Sequence, residues 1–184
     1  IYTEGITKIT AEDFKYAKKL GAAIKIFGSS VKDGDKIYAM VSPQMINSEH
    51  PLYSVNDVFN AISVQGNMLG DVMFYGKGAG KLPTASAVVS DVVDAVKHMG
   101  VNIMITWSAQ KLSLSKVEEM ENRFFVRLPI EDREKAESTF AGLTEVDAGI
   151  REEFAFVTTK MKEKVFADKI SAFSNMITRI RVDF

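Results

Sequence analysis

The sequence predicts an α+β fold: a mixed or antiparallel sheet covered by helices, followed by a second unit of order β-α-β-β-α-β. Strand-like runs occur in pairs around strong turn signals, such as Lys32-Asp33-Gly34-Asp35. Residues 85–96 carry the unbroken apolar stripe of a helix. From residue 124 onward, strand and helix patterns alternate in the order of a split βαβ unit.

Caps and turns predict the N-terminal elements. Thr10 is suited to cap a helix that carries Glu12 and Asp13 in its first turn and ends at Gly21. Two hairpins with a short helix between them are predicted next. The hairpin strands are residues 22–27 with 36–41 and residues 61–64 with 68–75, the short helix spans residues 54–60, and the second hairpin turns at Gly66-Asn67.

The clearest helix of the chain has an apolar stripe at helical spacing. The stripe consists of Ala85, Val88, Val89, Val92, Val93 and Val96. Because β-branched residues are weak helix formers, we expect packing against a sheet to bury this stripe and stabilise the helix. The helix ends at Gly100, and residues 101–107 are a predicted strand.

The connection into this helix is the strongest candidate site. Gly76, Gly78 and Gly80 follow a predicted strand at residues 71–75, and glycines let backbone N–H groups approach a ligand closely. Unpaired amides and the positive end of a helix favour an anionic or polar group, so this loop is a candidate ligand site. Its spacing fits neither a P-loop nor the dinucleotide fingerprint G-x-G-x-x-G. A flexible connection without a ligand is an equally open interpretation.

The C-terminal part predicts a separate domain. Residues 108–122 are polar, and we interpret them as a linker with a boundary near residue 115, which gives domains of residues 1–114 and 115–184. Strands 124–128, 146–150, 153–159 and 176–182, with helices 131–142 and 163–173, have the order of a ferredoxin-like fold. The helix stripes expected to be buried are Ala136, Phe140 and Leu143, then Phe166, Ile170 and Phe173.

Composition restricts the possible functions. The chain has 184 residues, of which 46% are hydrophobic and 26% charged, and its formal net charge is -1. This balance does not predict nucleic acid or an anionic membrane as an obligatory partner. The absence of cysteine excludes disulfides and thiol catalysis, and His50 and His98 lack metal-ligand spacing, so we expect no metal site. No signal peptide or membrane-length apolar run is present, so we expect a cytoplasmic protein; the start at Ile1 suggests a piece of a longer one.

Two stretches, Glu4–Asp13 (EGITKITAED) and Met73–Asp91 (MFYGKGAGKLPTASAVVSD), closely resemble the homoserine dehydrogenase family. The resemblance covers roughly residues 1–100, the later part of that family's catalytic, substrate-binding domain. It implies hydride transfer between NAD(P) and the pair L-homoserine and L-aspartate 4-semialdehyde, in threonine and methionine biosynthesis. The family's Rossmann domain, catalytic lysines and substrate-binding acidic residues precede Glu4. The resemblance therefore implies no catalytic residue in this chain and no activity of the chain alone.

The resemblance also assigns cofactor-binding residues. They are Gly78, Ala79 and Gly80, with the N–H of Gly80 as the contact, and Thr84 and Ala85, which hold the helix entry. NADP or NAD would be bound mainly by the absent N-terminal domain. Lys77 stands where the family usually has proline, and Lys81 where it has a small residue. The two lysines are either solvated surface residues or an indication that the enzyme prefers a phosphorylated nucleotide.

The last sixty or so residues resemble an ACT domain, the small-ligand regulatory module that many members carry. The usual Asp-x-Pro-Gly turn is replaced by Ile130-Glu131-Asp132-Arg133-Glu134, so packing or dimerisation competes with binding of an amino-acid effector such as threonine. Exposed strand edges predict a homodimer. Two alternatives stay open: a non-catalytic amino-acid-sensing or oligomerisation module, and an independent α+β assembly domain with an incidental glycine loop.

Overall fold

The computed structural model describes residues 1–102 and 104–184, which form two compact units. The first unit combines Ile1–His50 with Leu112–Phe184, and the second is Pro51–Lys111. This grouping differs from a division near residue 115, because strands from both sides of that position pair in one sheet.

Among the described residues, most helices and strands follow the predicted order, with several changes of length, two predicted elements missing and a short strand at Met161–Lys162 added. In chain order they are β1 (Tyr2–Thr3), α1 (Ala11–Lys19), β2 (Ala22–Asp33), β3 (Lys36–Asn47), β4 (Phe59–Gly66), β5 (Gly70–Lys77), α2 (Lys81–Lys97), β6 (Glu121–Pro129), α3 (Arg133–Thr139), β7 (Thr144–Glu145), β8 (Glu153–Val157), β9 (Met161–Lys162), α4 (Glu163–Ile170) and β10 (Thr178–Asp183). Short 3-10 turns lie at Val117–Glu119 and Ile130–Asp132. The first hairpin, β2–β3, is much longer than its pattern predicted.

The first helix begins where its cap predicted. Thr10 and Asp13 form a reciprocal capping box, in which the Thr10 N–H donates to Asp13 Oδ2 at 2.7 Å. The helical spacing of Phe14, Ala17 and Leu20 predicts one buried face, but the observed face differs: Tyr16 and Ala17 are buried, whereas Phe14 is 55% exposed. The buried Asp13 therefore lies on the packed side of α1 rather than in solvent.

In the sheet of the first unit, strand β3 pairs with three other strands, β1, β2 and β10. The order is β1-β3-β10-β6-β8-β7, with β2 also paired to β3 and β9 to β6. Strand β10 runs parallel to β3, with Arg181 opposite Gln44, and antiparallel to β6. The last strand of the chain thus joins the N-terminal hairpin to the C-terminal strands.

Alternation along β6 separates two cores. Phe125 packs with Tyr16 and the N-terminal strands in one core, and Phe124 packs with α3 and α4 in the other. The second core is rich in phenylalanine, and its buried rings are Phe124, Phe140, Phe154, Phe156, Phe166 and Phe173. The sheet is therefore covered by α1 on one face and by α3 and α4 on the other.

Apart from the two-residue strand β9, the C-terminal elements follow the predicted β-α-β-β-α-β order. Their strands lie in the order β10-β6-β8-β7, each antiparallel to its neighbour, which is the split βαβ arrangement. The predicted stripes pack into the phenylalanine-rich core: Ala136, Phe140, Phe166 and Phe173 are buried, and Leu143 and Ile170 pack against them. The strand predicted at residues 146–150 is wrong in position, because β7 spans Thr144–Glu145 and only the Val146 N–H continues the pairing, to the Ala155 carbonyl at 2.8 Å.

The second unit contains the β4–β5 hairpin and α2. The hairpin is in register from Phe59 opposite Lys77 to Gly66 opposite Gly70, close to the prediction. The short helix predicted at residues 54–60 is wrong, because the chain makes turns there and enters β4 at Phe59. The strand predicted at 101–107 is not formed by residues 101–102 or 104–107, and residue 103 lies outside the described residues.

Helix α2 forms as predicted, but its stripe is not covered. The five stripe valines are between 45% and 61% exposed, so the prediction that a sheet buries them is wrong for this chain. They are Val88, Val89, Val92, Val93 and Val96. Over the described part of the chain, no helix is long and apolar enough to cross a membrane.

Candidate functional site

The glycine loop, residues 78–80, connects β5 directly to α2. Its three residues and the first residues of α2, Lys81 and Leu82, are exposed. Among the described residues, the N–H groups of Gly78, Ala79 and Gly80 have no acceptor within hydrogen-bond distance. Unpaired amides at a helix N-terminus can bind an anionic or polar group, so the loop stays a candidate ligand site.

Gly80 has a backbone conformation that only glycine adopts readily. Its φ of 119° and ψ of 151° belong to a region that side chains bearing a Cβ avoid. Its carbonyl accepts a hydrogen bond from the Thr84 N–H at 3.0 Å, which begins the helix. Gly80 therefore sets the direction of the loop amides relative to the axis of α2.

Gly78 is favoured for a different reason. A Cβ on Gly78 would overlap the amide group of Asn60, which lies on the neighbouring strand β4. Asn60 Nδ2 also donates to the Val58 carbonyl at 3.4 Å. At the base of the loop, the rings of Phe59 and Tyr75 stack with centroids 4.8 Å apart. The hairpin thus supports the loop from one side.

The charges around the loop are positive. Lys77 and Lys81 are both exposed, and the first turn of α2 contains no acidic residue. Thr84 and Ala85 are exposed on that first turn, so all five predicted cofactor-binding residues lie together on the loop and helix entry. This arrangement favours an anionic group over a cationic one.

Neither histidine is part of this loop. His98 lies at the far end of α2, where its Nδ1 is 2.9 Å from the Asp94 carbonyl, and His50 lies 3.6 Å from Asp183. In the described residues, no group of three potential metal ligands comes together.

The sequence interpretation missed two buried arginines of the C-terminal strands. Arg127, on β6, donates to both carboxylate oxygens of Glu153, at 2.9 and 2.7 Å, and to Asp13 at 2.6 Å. The same guanidinium donates to Thr10 Oγ1 at 3.0 Å and lies 5.4 Å from the centre of the Tyr16 ring. Arg127 therefore holds the cap of α1 against the sheet.

Arg181, on β10, has a similar arrangement. It donates to both oxygens of Glu163, at 2.6 and 2.8 Å, and to Glu4 Oε2 at 2.8 Å. Glu4 also accepts hydrogen bonds from Tyr2 at 3.0 Å and from Arg179 at 3.5 Å. The signal in the sequence was an arginine among apolar residues of a predicted strand, in the runs Phe124–Leu128 and Ile180–Val182.

These networks change the ionisation of their members. Burial alone lowers the pKa of Arg181, but hydrogen bonds and charge from Glu163 outweigh it and raise the pKa above its usual value. Burial raises the pKa of Glu4, but the hydrogen bond from Arg181 and the charge of Arg179 oppose it and lower the pKa overall. Burial and then the charge of Glu153 raise the pKa of Tyr16 to about 12. Arg181 and Glu4 are therefore charged at neutral pH.

Comparison with known proteins places this geometry in a family. Over 99% of its length, the chain shares its α+β fold with a solved homoserine dehydrogenase from Thiobacillus denitrificans, with a TM-score of 0.78 and 25% identity. It also matches an S. aureus homoserine dehydrogenase over 98% of its length, with a TM-score of 0.72 and 28% identity. It spans 47% of each of those two chains.

Sequence comparison gives the family. The family model of homoserine dehydrogenase matches residues 1–93. The homoserine dehydrogenase of Bacillus subtilis (strain 168) is 43% identical over 103 residues, which are 56% of this chain and 24% of that protein. The Helicobacter pylori enzyme is 40% identical over 132 residues, which are 72% of this chain and 31% of that protein. The chain belongs to the homoserine dehydrogenase family, and it spans less than a third of these two relatives.

Proposed function

We propose that this chain is part of a homoserine dehydrogenase that interconverts L-homoserine and L-aspartate 4-semialdehyde with NAD(P), on the route to threonine and methionine. The observation that supports the proposal is the exposed glycine loop, whose amides are free within the stretch matched by the family model. Bound NAD(P) would supply or accept the hydride. This chain would contribute part of the binding surface, with Gly78, Ala79 and Gly80 as backbone donors.

The residues of the loop fit such a group. Exposed N–H groups, the positive end of α2 and the neighbouring Lys77 and Lys81 all favour a ligand that carries phosphates. Thr84 and Ala85 form the first turn of α2 and keep the loop amides at the helix entry. The two lysines would also attract the additional phosphate of NADP, which NAD lacks. The proposal therefore includes either cofactor, with the lysines favouring NADP.

The exposed stripe of α2 fits the same proposal. Valine is a weak helix former, so α2 gains little stability while its valines are exposed to water. A surface in the remainder of the enzyme would bury these valines, stabilise α2 and bring it to the cofactor. The chain contains no G-x-G-x-x-G fingerprint and has no assigned proton acceptor, so we expect no turnover from it alone. The whole enzyme would be cytoplasmic and homodimeric.

A substitution at Gly80 in the full-length enzyme tests the assignment of the loop. Gly80→Ala forces a side chain into a conformation that costs about 1–3 kcal/mol, so we expect the KM for NAD(P) to rise about tenfold. Gly76→Ala is the matched control, because a Cβ there meets nothing within 4 Å and the backbone is not strained. The assay is homoserine oxidation followed by NAD(P)H absorbance. Equal KM values for the two variants would remove the loop from the site.

The second candidate function is a C-terminal regulatory module. The antiparallel order β10-β6-β8-β7 supports an ACT-like unit that senses an amino acid or holds a dimer. Calorimetric titration of the chain with threonine, methionine and lysine, together with light scattering, tests both roles. Heat with one amino acid favours sensing, and a dimer without heat favours oligomerisation. A monomer without heat contradicts both.

A further inference from the structure

The family stretch Glu4–Asp13 is bound at each of its ends by an arginine from the C-terminal strands. Arg181 of β10 donates to Glu4 at 2.8 Å, and Arg127 of β6 donates to Asp13 at 2.6 Å. The arginines lie more than one hundred residues later in the sequence, yet their side chains are only 3% and 2% exposed. The Arg127–Asp13 contact is therefore shielded from water and screened little by salt, whereas the Arg181–Glu4 contact is buried on the arginine side and 25% exposed at Glu4.

Each arginine is itself fixed from behind by a carboxylate. Arg127 donates two hydrogen bonds to Glu153, and Arg181 donates two to Glu163; this geometry leaves each guanidinium little rotational freedom. The remaining donors of each guanidinium reach the N-terminal stretch. Each arginine is fixed in the C-terminal sheet and contacts one end of the Glu4–Asp13 stretch. A shift of that sheet would therefore move the end that the arginine binds.

The residues between the two anchors form a short exposed loop. Gly5, Ile6, Thr7 and Lys8 are exposed, and the backbone is held internally by a 3.0 Å hydrogen bond from the Ile9 N–H to the Ile6 carbonyl. Ile6 and Ile9 line an apolar cavity of about 330 Å³ with Phe14 and the strand β2. Within this loop, residues 5–8, side chains bury little area, so its ends determine its conformation.

We propose that Arg127 and Arg181 act as a two-point clamp: they are positioning residues that set the conformation of loop 5–8 from the C-terminal sheet. A ligand, partner or substitution that shifts β6 or β10 would then move this loop without contacting it. The clamp does not depend on the proposed catalytic function, because every contact in it lies within the first unit.

Hydrogen exchange in the intact chain tests the clamp. The reporters are the Ile9 N–H, bonded to Ile6, and the Glu4 N–H, which donates to the Val41 carbonyl at 2.8 Å. In Arg181→Met and in Arg127→Met, loss of a charged hydrogen bond is expected to speed exchange of both reporters at least about tenfold. Amides of the β6–β8 ladder serve as the internal reference for global unfolding.

Matched variants make the result decisive. Arg133→Met is the control, because Arg133 also pairs with two carboxylates but its side chain is 43% exposed. In this variant, the exchange rates of the two reporter amides should stay within about twofold of those in the unsubstituted chain. If an arginine variant does not fold, Glu4→Gln and Glu153→Gln remove one charge each and should give the same local effect. Unchanged reporters, or equal acceleration of the reporters and the β6–β8 amides, would overturn the clamp.

Discussion

The phenylalanine-rich core allows a quantitative prediction with an internal control. Phe166 is 2% exposed and stacks on Phe124 with ring centroids 3.8 Å apart. Phe166→Ala removes this ring and leaves a cavity, which should lower the free energy of unfolding by about 3–5 kcal/mol. Phe14 is 55% exposed, so Phe14→Ala should lower it by about 1 kcal/mol or less.

Urea unfolding followed by the amide signals of β6 and β8 measures both variants. These strands belong to the first unit, so unfolding of residues 51–111 does not contribute to the signal. The urea midpoint of Phe166→Ala should fall far below that of Phe14→Ala, with a similar slope for the two variants. If the two substitutions lower the midpoint equally, the assignment of Phe166 to a tightly packed core is wrong.

Two further predictions concern pH. The pKa of Tyr16 is raised from 10.0 to about 12, so its contribution to stability is full below pH 10 and is lost as the pH rises through that interval. Tyr16→Phe should therefore remove a tyrosine absorbance transition near pH 12, and a tyrosine spectrum unchanged in that range would contradict the burial of this hydroxyl. The pKa of Glu4 is lowered from 4.5, so its contribution is present above pH 4.5 and is lost at lower pH. Glu4→Gln should make stability less dependent on pH below 4.5, and the exposed Glu134→Gln is its control; identical acid profiles would refute the role of the Arg181 contact.

Local signals predicted much of the secondary structure. The Thr10 cap, the turn in Lys32-Asp33-Gly34-Asp35 and the apolar period of α2 each depend on a few neighbouring residues, and each is confirmed. The short helix predicted at residues 54–60 lies in a segment, residues 42–60, that carries two prolines, and turns replace it. The candidate site followed from the same kind of local pattern, because glycine spacing and a helix entry are visible in the sequence.

Long-range pairing was not predictable in this way. The parallel contact between β10 and β3 joins residues about 140 positions apart, and nothing in either strand's pattern specifies its partner. The buried ion pairs of Arg127 and Arg181 were not predicted for the same reason. An arginine in a strand is expected to face solvent, and the sequence does not show which carboxylates the fold brings next to it. The exposure of the α2 stripe was also missed, because an apolar face predicts burial without identifying the surface that covers it.

The sequence by itself determined the family, the glycine loop with its helix, and the order of the C-terminal strands, because caps, turns and spacing act over a few residues. Only the tertiary structure decided that the C-terminal strands share a sheet with the N-terminal hairpin and that Arg127 and Arg181 bind the Glu4–Asp13 stretch. The physical reason is that a buried charge is stable only beside its partner, and that partner is set by the pairing of strands distant in sequence.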